Sequence, residues 1–198
     1  MKIAVDIDEV LARGLATYLK YFNTTYSTNF TESDFTADRA FWDVLGVKDE
    51  DIANIEQHYR TTKHARDWLL VPGAKEAITQ LAAEHELVII SNRKAAGHEP
   101  TRAWLRKNFA NSFGEIFFTE AERNGDTRPS KAEICTRIGA DVLIEDEVKE
   151  VQACQQAGVP VVMFDTQYNQ HKGGHGVVRV RSWGEALAAL GAMSSQRS

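Results

Sequence analysis

The sequence predicts an α/β protein, a parallel sheet flanked by helices with a small helical insertion after the first strand. Three observations carry that prediction. Short apolar runs rich in Val and Ile recur along the chain, each too short for a helix, which is the pattern of parallel strands buried on both faces. Amphipathic helical segments separate most of these runs, and strand, helix, strand repeated in this way defines the α/β class. One long stretch, from about residue 13 to 70, breaks the rhythm with polar segments, many aromatic residues and no convincing buried strand.

Taken in order, the first predicted strand is 2–5, KIAV, and the acidic segment DIDEVLA at 6–12 follows it directly. The insertion comes next. Within it Asp49 can cap a helix on which Ile52, Ile55 and Tyr59 fall at i, i+3 and i+7, and Val71-Pro72-Gly73 closes it. A helix over 75–84 places Ala77, Ile78, Leu81 and Ala82 on one side, ahead of a strand at 87–90. A helix over 100–109, carrying Ala103, Leu105 and Phe109, precedes a strand at 115–118. Ser130 with Glu133 three residues on forms a capping box, which sets Lys131 at a helix N-terminus. Gly139, and Gly158 followed by Pro160, are the matching helix stops before strands at 141–144 and 159–164. Ser182 and Glu185 repeat the capping pattern, and 194–198 reads as a frayed tail.

At 198 residues the chain is long enough for a real core, read as 1–13 plus 71–198, with 14–70 as the insertion. Hydrophobic residues at 43% and charged residues at 26% are ordinary globular usage and exclude disordered, collagen-like and coiled-coil chains. The net charge of −5 without a basic block argues against polymeric nucleic acid as a partner. Cys135 and Cys154 lack metal-type spacing and are too few to staple a secreted fold, so both read as reduced core thiols. No leader-like apolar stretch precedes Asp6 and no run reaches membrane-spanning length, which makes the cytoplasm the expected compartment.

The chemistry concentrates at strand ends. Asp6 and Asp8 stand at the carboxyl end of a central strand, where open α/β sheets bind ligands. Two neighbouring carboxylates repel, so they call for a cation, and oxygen ligands suit Mg²⁺. Glu145-Asp146-Glu147 follows another strand in the same manner, and Asp146 could share that metal with Asp6. A carboxylate is also a nucleophile toward phosphorus, a role Asp6 is placed for, while Asp8 could protonate the leaving oxygen and then deprotonate water. Ser91, with the amides that follow it from Asn92 on, and Lys131 at its helix start could hold phosphoryl oxygens.

This ordered set, DxD at 6–8, Ser91, Lys131 and the acidic pair at 145–146, resembles the haloacid dehalogenase (HAD) superfamily of aspartate-nucleophile phosphatases, and the match spans the core. The resemblance implies a Rossmann-like core with the insertion as a helical cap. It implies Asp6 as nucleophile, Asp8 as general acid and base, Ser91, Asn92 and Lys131 as phosphate ligands, and Mg²⁺ held by Asp6, the Asp8 carbonyl and Asp146. Within that superfamily DIDEVLA, SNR at 91–93, TRAWLRKNF, IFFTE, LIED and VRVRSW are similar to the 5′(3′)-deoxyribonucleotidase-like proteins. A nucleoside monophosphate is the substrate this implies. Glu9 stands where that family commonly has Gly, and Glu145 where it has Asp. Metal binding is therefore assigned to Asp146, and Glu145 is placed behind it.

Other readings stay open at this point: a sugar-phosphate or general phosphatase, or a non-catalytic nucleotide-binding protein of the same fold. Arg93 either touches the substrate phosphate or pairs with a nearby acid. The insertion's aromatics Phe41, Trp42, Tyr59 and Trp68 could line a cap and stack on a base, but most read as the insertion's own core, with Trp42, in a turn, as the candidate to stack. His171 and His175 flank Lys172-Gly173-Gly174 in an expected loop, and no histidine is given a role.

Overall fold

The computed structural model describes residues 1–36, 39–110, 112–119, 129–170 and 177–195. Strand β1 (Lys2–Val5) leads through a tight loop to β2 (Ala12–Arg13) and the helices α1 (Gly14–Tyr26), α2 (Phe41–Leu45) and α3 (Asp49–Thr61), after which β3 (Leu69–Leu70) pairs antiparallel with β2. Then come α4 (Ala74–Glu84), β4 (Glu86–Ser91), α5 (Ala95–Phe109), β5 (Ile116–Phe118), α6 (Lys131–Ile138), β6 (Val142–Glu145), α7 (Val148–Gln156), β7 (Val161–Phe164), β8 (Val178–Val180) and α8 (Trp183–Ser195).

Six strands form one sheet in the order β5-β4-β1-β6-β7-β8, every neighbouring pair parallel. Alternation along each strand splits the core into two layers. Ile3, Val5, Leu87, Ile89, Val142 and Ile144 pack with residues of α4, α5 and α8, including Trp104 and Trp183. Ala4, Val88, Ile90 and Leu143 face α6 and α7, with Ile134, Val151 and the free thiols of Cys135 and Cys154. The chain runs from β1 outward through β4 and β5, then returns to β6 on the other side, so the order reverses beside β1. Ligands of open α/β sheets bind at such a reversal, beyond the carboxyl ends of the strands.

The insertion is helical, as expected, with its own aromatic core of Tyr21, Phe22 and Phe35 beside Leu19, Val44 and Leu45. The short β2–β3 pair clasps its two ends, an element invisible in sequence because two residues per strand carry no periodicity. Three other local expectations are corrected. Helix α5 starts at Ala95, five residues ahead of Pro100, which lies inside it at the cost of one backbone bond. Lys48, not Asp49, is the residue before α3; Asp49, Glu50 and Asp51 occupy the first turn and act on the helix dipole. Trp42 lies on α2 and not in a turn.

At α8 only half of the expected box forms, because Ser182 Oγ accepts from Glu185 N–H while the Glu185 carboxylate turns back to Arg181. Strand β8 was hidden in the alternating VRV run. His98 is half-buried and stacks on Phe118 with ring centroids 3.7 Å apart. His171 and His175 lie outside the described residues.

Candidate active site

The carboxyl ends of β1, β4, β6 and β7 converge over the reversal. At the end of β1 the backbone of Asp6 still belongs to the sheet, its N–H donating to Ile144 at 3.0 Å, so the side chain projects over β6. There it meets Glu145 and Asp146, and the nearest carboxylate oxygens of the three lie within 4.8 Å of one another. All three are buried.

Among the described residues one cation, Lys131, enters the cluster. Lys131, 2% exposed at the first position of α6, reaches Asp6 Oδ1 and Glu145 Oε2, each at 2.7 Å. Its placement follows from local sequence. Ser130 Oγ accepts Glu133 N–H at 3.2 Å and the Glu133 carboxylate accepts Ser130 N–H at 2.7 Å, the complete capping box, which fixes where α6 begins. Both oxygens of Glu145 are engaged. Its Oε1 accepts the N–H groups of Asp146 and Glu147 at 3.1 and 3.0 Å, so Glu145 anchors Lys131 and the strand-end turn.

Burial, then the Glu145 carboxylate, pushes the Asp6 carboxyl up to about 8 against the pull of Lys131. Burial, with Glu145 and Asp6, raises Asp146 well above the carboxylate range. Burial also works against the charge on Lys131, but Asp6 and Glu145 outweigh it and keep the ammonium protonated. With all three carboxylates ionised, one ammonium would leave two negative charges uncompensated in a buried site, which is why Asp6 and Asp146 hold their protons so strongly. A divalent cation with oxygen ligands matches that deficit, so the donor set fits Mg²⁺ on its chemistry.

Asp8 sits apart from this cluster. Its carboxylate, about half exposed, is gripped by Arg93, Nε to Oδ2 at 3.0 Å and Nη2 to Oδ1 at 2.7 Å. Burial would raise Asp8, but the guanidinium wins and holds it below the usual carboxylate range. Arg93 in turn donates to Thr101 Oγ1 at 2.9 Å and lies 3.8 Å above the Trp68 ring. Arg93 thus pairs with a nearby acid while it also lines the cleft beside Asp8.

The β4 end is less uniform than expected. Asn92 lines the cavity of about 360 Å³ over the acidic cluster, together with Asp6, Asp8, Lys131 and Asp146. Its side chain is committed sideways, donating to Glu150 at 3.1 Å and accepting from Thr119 at 2.6 Å. Ser91 is fully buried, its hydroxyl 3.3 Å from the Arg93 N–H, and does not line that cavity.

A second and larger cleft, about 490 Å³, adjoins Asp8 and Arg93 and is walled by Tyr18, Phe41, Trp42, Tyr59 and Trp68. Trp42 therefore does face a cleft beside the site, together with Phe41, Tyr59 and Trp68 and with Tyr18, which the sequence did not single out as a lining residue. Tyr18 and Tyr59 both pack on the insertion's core and line this cleft, so core and lining are not exclusive there.

Two further groups shape the site: Glu9, marked in the sequence only as a departure, and Tyr168, which sequence reasoning passed over. Glu9 takes a left-handed backbone conformation, φ +55°, where a glycine would be unstrained. Its carboxylate accepts Leu15 N–H at 2.7 Å, serving as the N-terminal cap of α1 that Arg13 does not supply. Tyr168, in the turn after β7, donates its hydroxyl to Asp146 Oδ2 at 2.5 Å. Its signal was positional only: β7 neighbours β6, so their following turns must meet.

Residues 1–194 match the family described as "5′ nucleotidase, deoxy (Pyrimidine), cytosolic type C protein". Among curated proteins, one named "Putative nucleotidase" from Halalkalibacterium halodurans is 28% identical over 94% of this chain and 91% of its own length. Among solved structures, a conserved haloacid dehalogenase-like protein of unknown function from Agrobacterium tumefaciens shares the fold at a TM-score of 0.71, with 17% identity over 98% of both chains. The "putative HAD-hydrolase YfnB" of Bacillus subtilis, solved bound to magnesium, follows at 0.66, with 17% identity over 96% of this chain and 97% of its own.

Proposed function

The chain belongs to the cytosolic type C 5′ nucleotidase family and is a HAD-type phosphatase, and from that premise we propose that it hydrolyses nucleoside monophosphates through an aspartyl phosphate on Asp6. The observation that carries the substrate class is the aromatic-walled cleft opening on Asp8: a base stacks there while the phosphate reaches Asp6. The family's name points to deoxyribonucleotides within that class. In this reading residues 1–13 and 71–198 are the catalytic core and 14–70 the cap over it.

Asp6 attacks phosphorus as the ester bond to the leaving oxygen breaks, and Asp8 gives that oxygen a proton. Water then attacks the phosphoaspartate, Asp8 takes the water's proton, and inorganic phosphate leaves with Asp6 restored. For Asp8 to carry a proton its pair with Arg93 has to loosen, and both residues face the cleft the substrate fills. Lys131 and the backbone amides at Asn92 supply positive charge and donors to the phosphoryl oxygens, with Ser91 supporting that turn from below. Magnesium would be held by Asp6 and Asp146 with the Asp8 carbonyl. When bound it neutralises the carboxylates and the transferring group. Glu145, whose oxygens are already taken, positions Lys131.

The test is phosphate release from a panel of nucleoside 5′- and 3′-monophosphates and sugar phosphates, with Mg²⁺ and with chelator. The reading expects a nucleotide preference abolished by chelator. Activity spread over sugar phosphates overturns the substrate and keeps the mechanism. Mg²⁺ binding without any turnover overturns the mechanism.

A further inference from the structure

We propose that Tyr168 is a positioning residue that holds Asp146 in its cation-binding orientation and so sets the affinity for Mg²⁺, an inference that rests on the cation reading of the acidic cluster. Asp6 and Glu145 each have an ammonium partner in Lys131. Asp146 has none. Its carboxylate lies within 4.8 Å of two others, and like charges at that distance would swing it away from the cluster. Among the described residues the side chain that hydrogen-bonds this carboxylate is Tyr168, through Oδ2, which leaves Oδ1 as the ligand.

The donor is itself built in. Asn169, fully buried, donates from Nδ2 to the carbonyls of Asp146 at 2.8 Å and Phe164 at 2.7 Å. Its Oδ1 accepts from Thr166 N–H at 3.0 Å and Arg179 Nη2 at 2.9 Å, so all four hydrogen-bonding positions of the amide are used. The turn after β7 is thereby tied to the turn after β6 through the backbone, and Tyr168 adds the tie to the side chain. A phenol suits the task because it donates without charge. Lysine or arginine there would orient Asp146 equally but cancel the negative charge that attracts the cation. A partner behind a metal ligand of this kind fixes its orientation, and losing it costs about 10- to 100-fold in metal affinity.

The experiment is calorimetric titration of MgCl₂ into the substrate-free full chain, for wild type, Tyr168→Phe and Asp146→Asn. Tyr168→Phe is expected to weaken Mg²⁺ binding about 10- to 100-fold. Asp146→Asn is expected to weaken it at least as much. Turnover of Tyr168→Phe should climb back toward wild type as Mg²⁺ is raised, with the nucleotide KM unchanged. Equal affinity in wild type and Tyr168→Phe overturns the role of Tyr168 and leaves the cation reading intact. A wild type that binds no Mg²⁺ overturns both. Should Tyr168→Phe also melt lower, a turnover loss that no Mg²⁺ concentration relieves marks a merely structural role and overturns the proposal.

Discussion

Exchanging Asp6 for Asn removes one oxygen's charge from a cluster of three buried carboxylates, so the fold should tolerate the change while the nucleophile is lost. We expect Asp6→Asn to show no phosphate release above background with a circular dichroism spectrum like the wild type; near-normal turnover would end the covalent mechanism. Arg93 is a case where chemistry and not charge decides. Its planar fork grips both oxygens of Asp8, bonds Thr101 and lies on Trp68 at once, a geometry lysine cannot reproduce. Arg93→Lys is therefore expected to lower kcat by about 10- to 100-fold through misplacement of Asp8, read by initial rates at saturating substrate.

Helix starts position the site at the next scale up. The capping box of α6 fixes the turn on which Lys131 emerges, so Ser130→Ala should cost about 1 kcal/mol. For a chain of this size that lowers Tm by about 2–4 °C, and kcat/KM should fall with it; calorimetry and initial rates check the pair. Helix α1 begins against the nucleophile loop. A Cβ on Gly14 would come 3.0 Å from Asp8 Oδ1 and 3.3 Å from Glu9 Oε1, so Gly14→Ala must push a carboxylate of the site aside. Alanine favours the helix by up to about 1 kcal/mol. Stability should hold while kcat falls at least about tenfold, the scale at which misplacement of a reacting group is felt. A variant as active as wild type would show that Asp8 yields there without consequence.

Across the whole molecule, parallel strands deliver acidic side chains from distant parts of the sequence to one buried point, and the fold bears that repulsion. Asp6 is pushed to about 8 in the folded protein, against about 3.9 in an unfolded chain. Between those values the folded state keeps a proton that the unfolded state has released, so without metal stability falls as pH rises toward 8. A cation binds the deprotonated carboxylates and reverses the trend. We expect the rise in Tm on adding Mg²⁺ over EDTA to be larger at pH 8 than at pH 6, by thermal unfolding at fixed protein concentration. Mg²⁺ at 100 times its Kd corresponds to about 2.7 kcal/mol. A shift that does not grow with pH would remove the carboxylate cluster as the binding site.

The sequence by itself determined the α/β class, the strand-end placement of Asp6, Asp8 and Asp146, and the helix-start placement of Lys131. Each is written locally, in an apolar run ended by acids or in Ser130 and Glu133 three apart. It also marked Glu9 and Glu145 as departures, without showing that one caps α1 and the other is engaged by Lys131 and two amides. Only the tertiary structure decided the partners. Arg93 gripping Asp8, Trp68 beneath Arg93, Tyr168 on Asp146 and the β2–β3 clasp join residues from 22 to 85 positions apart. No periodicity or spacing encodes such contacts, because they depend on which strands lie side by side, and strand order follows from packing the whole chain around one sheet.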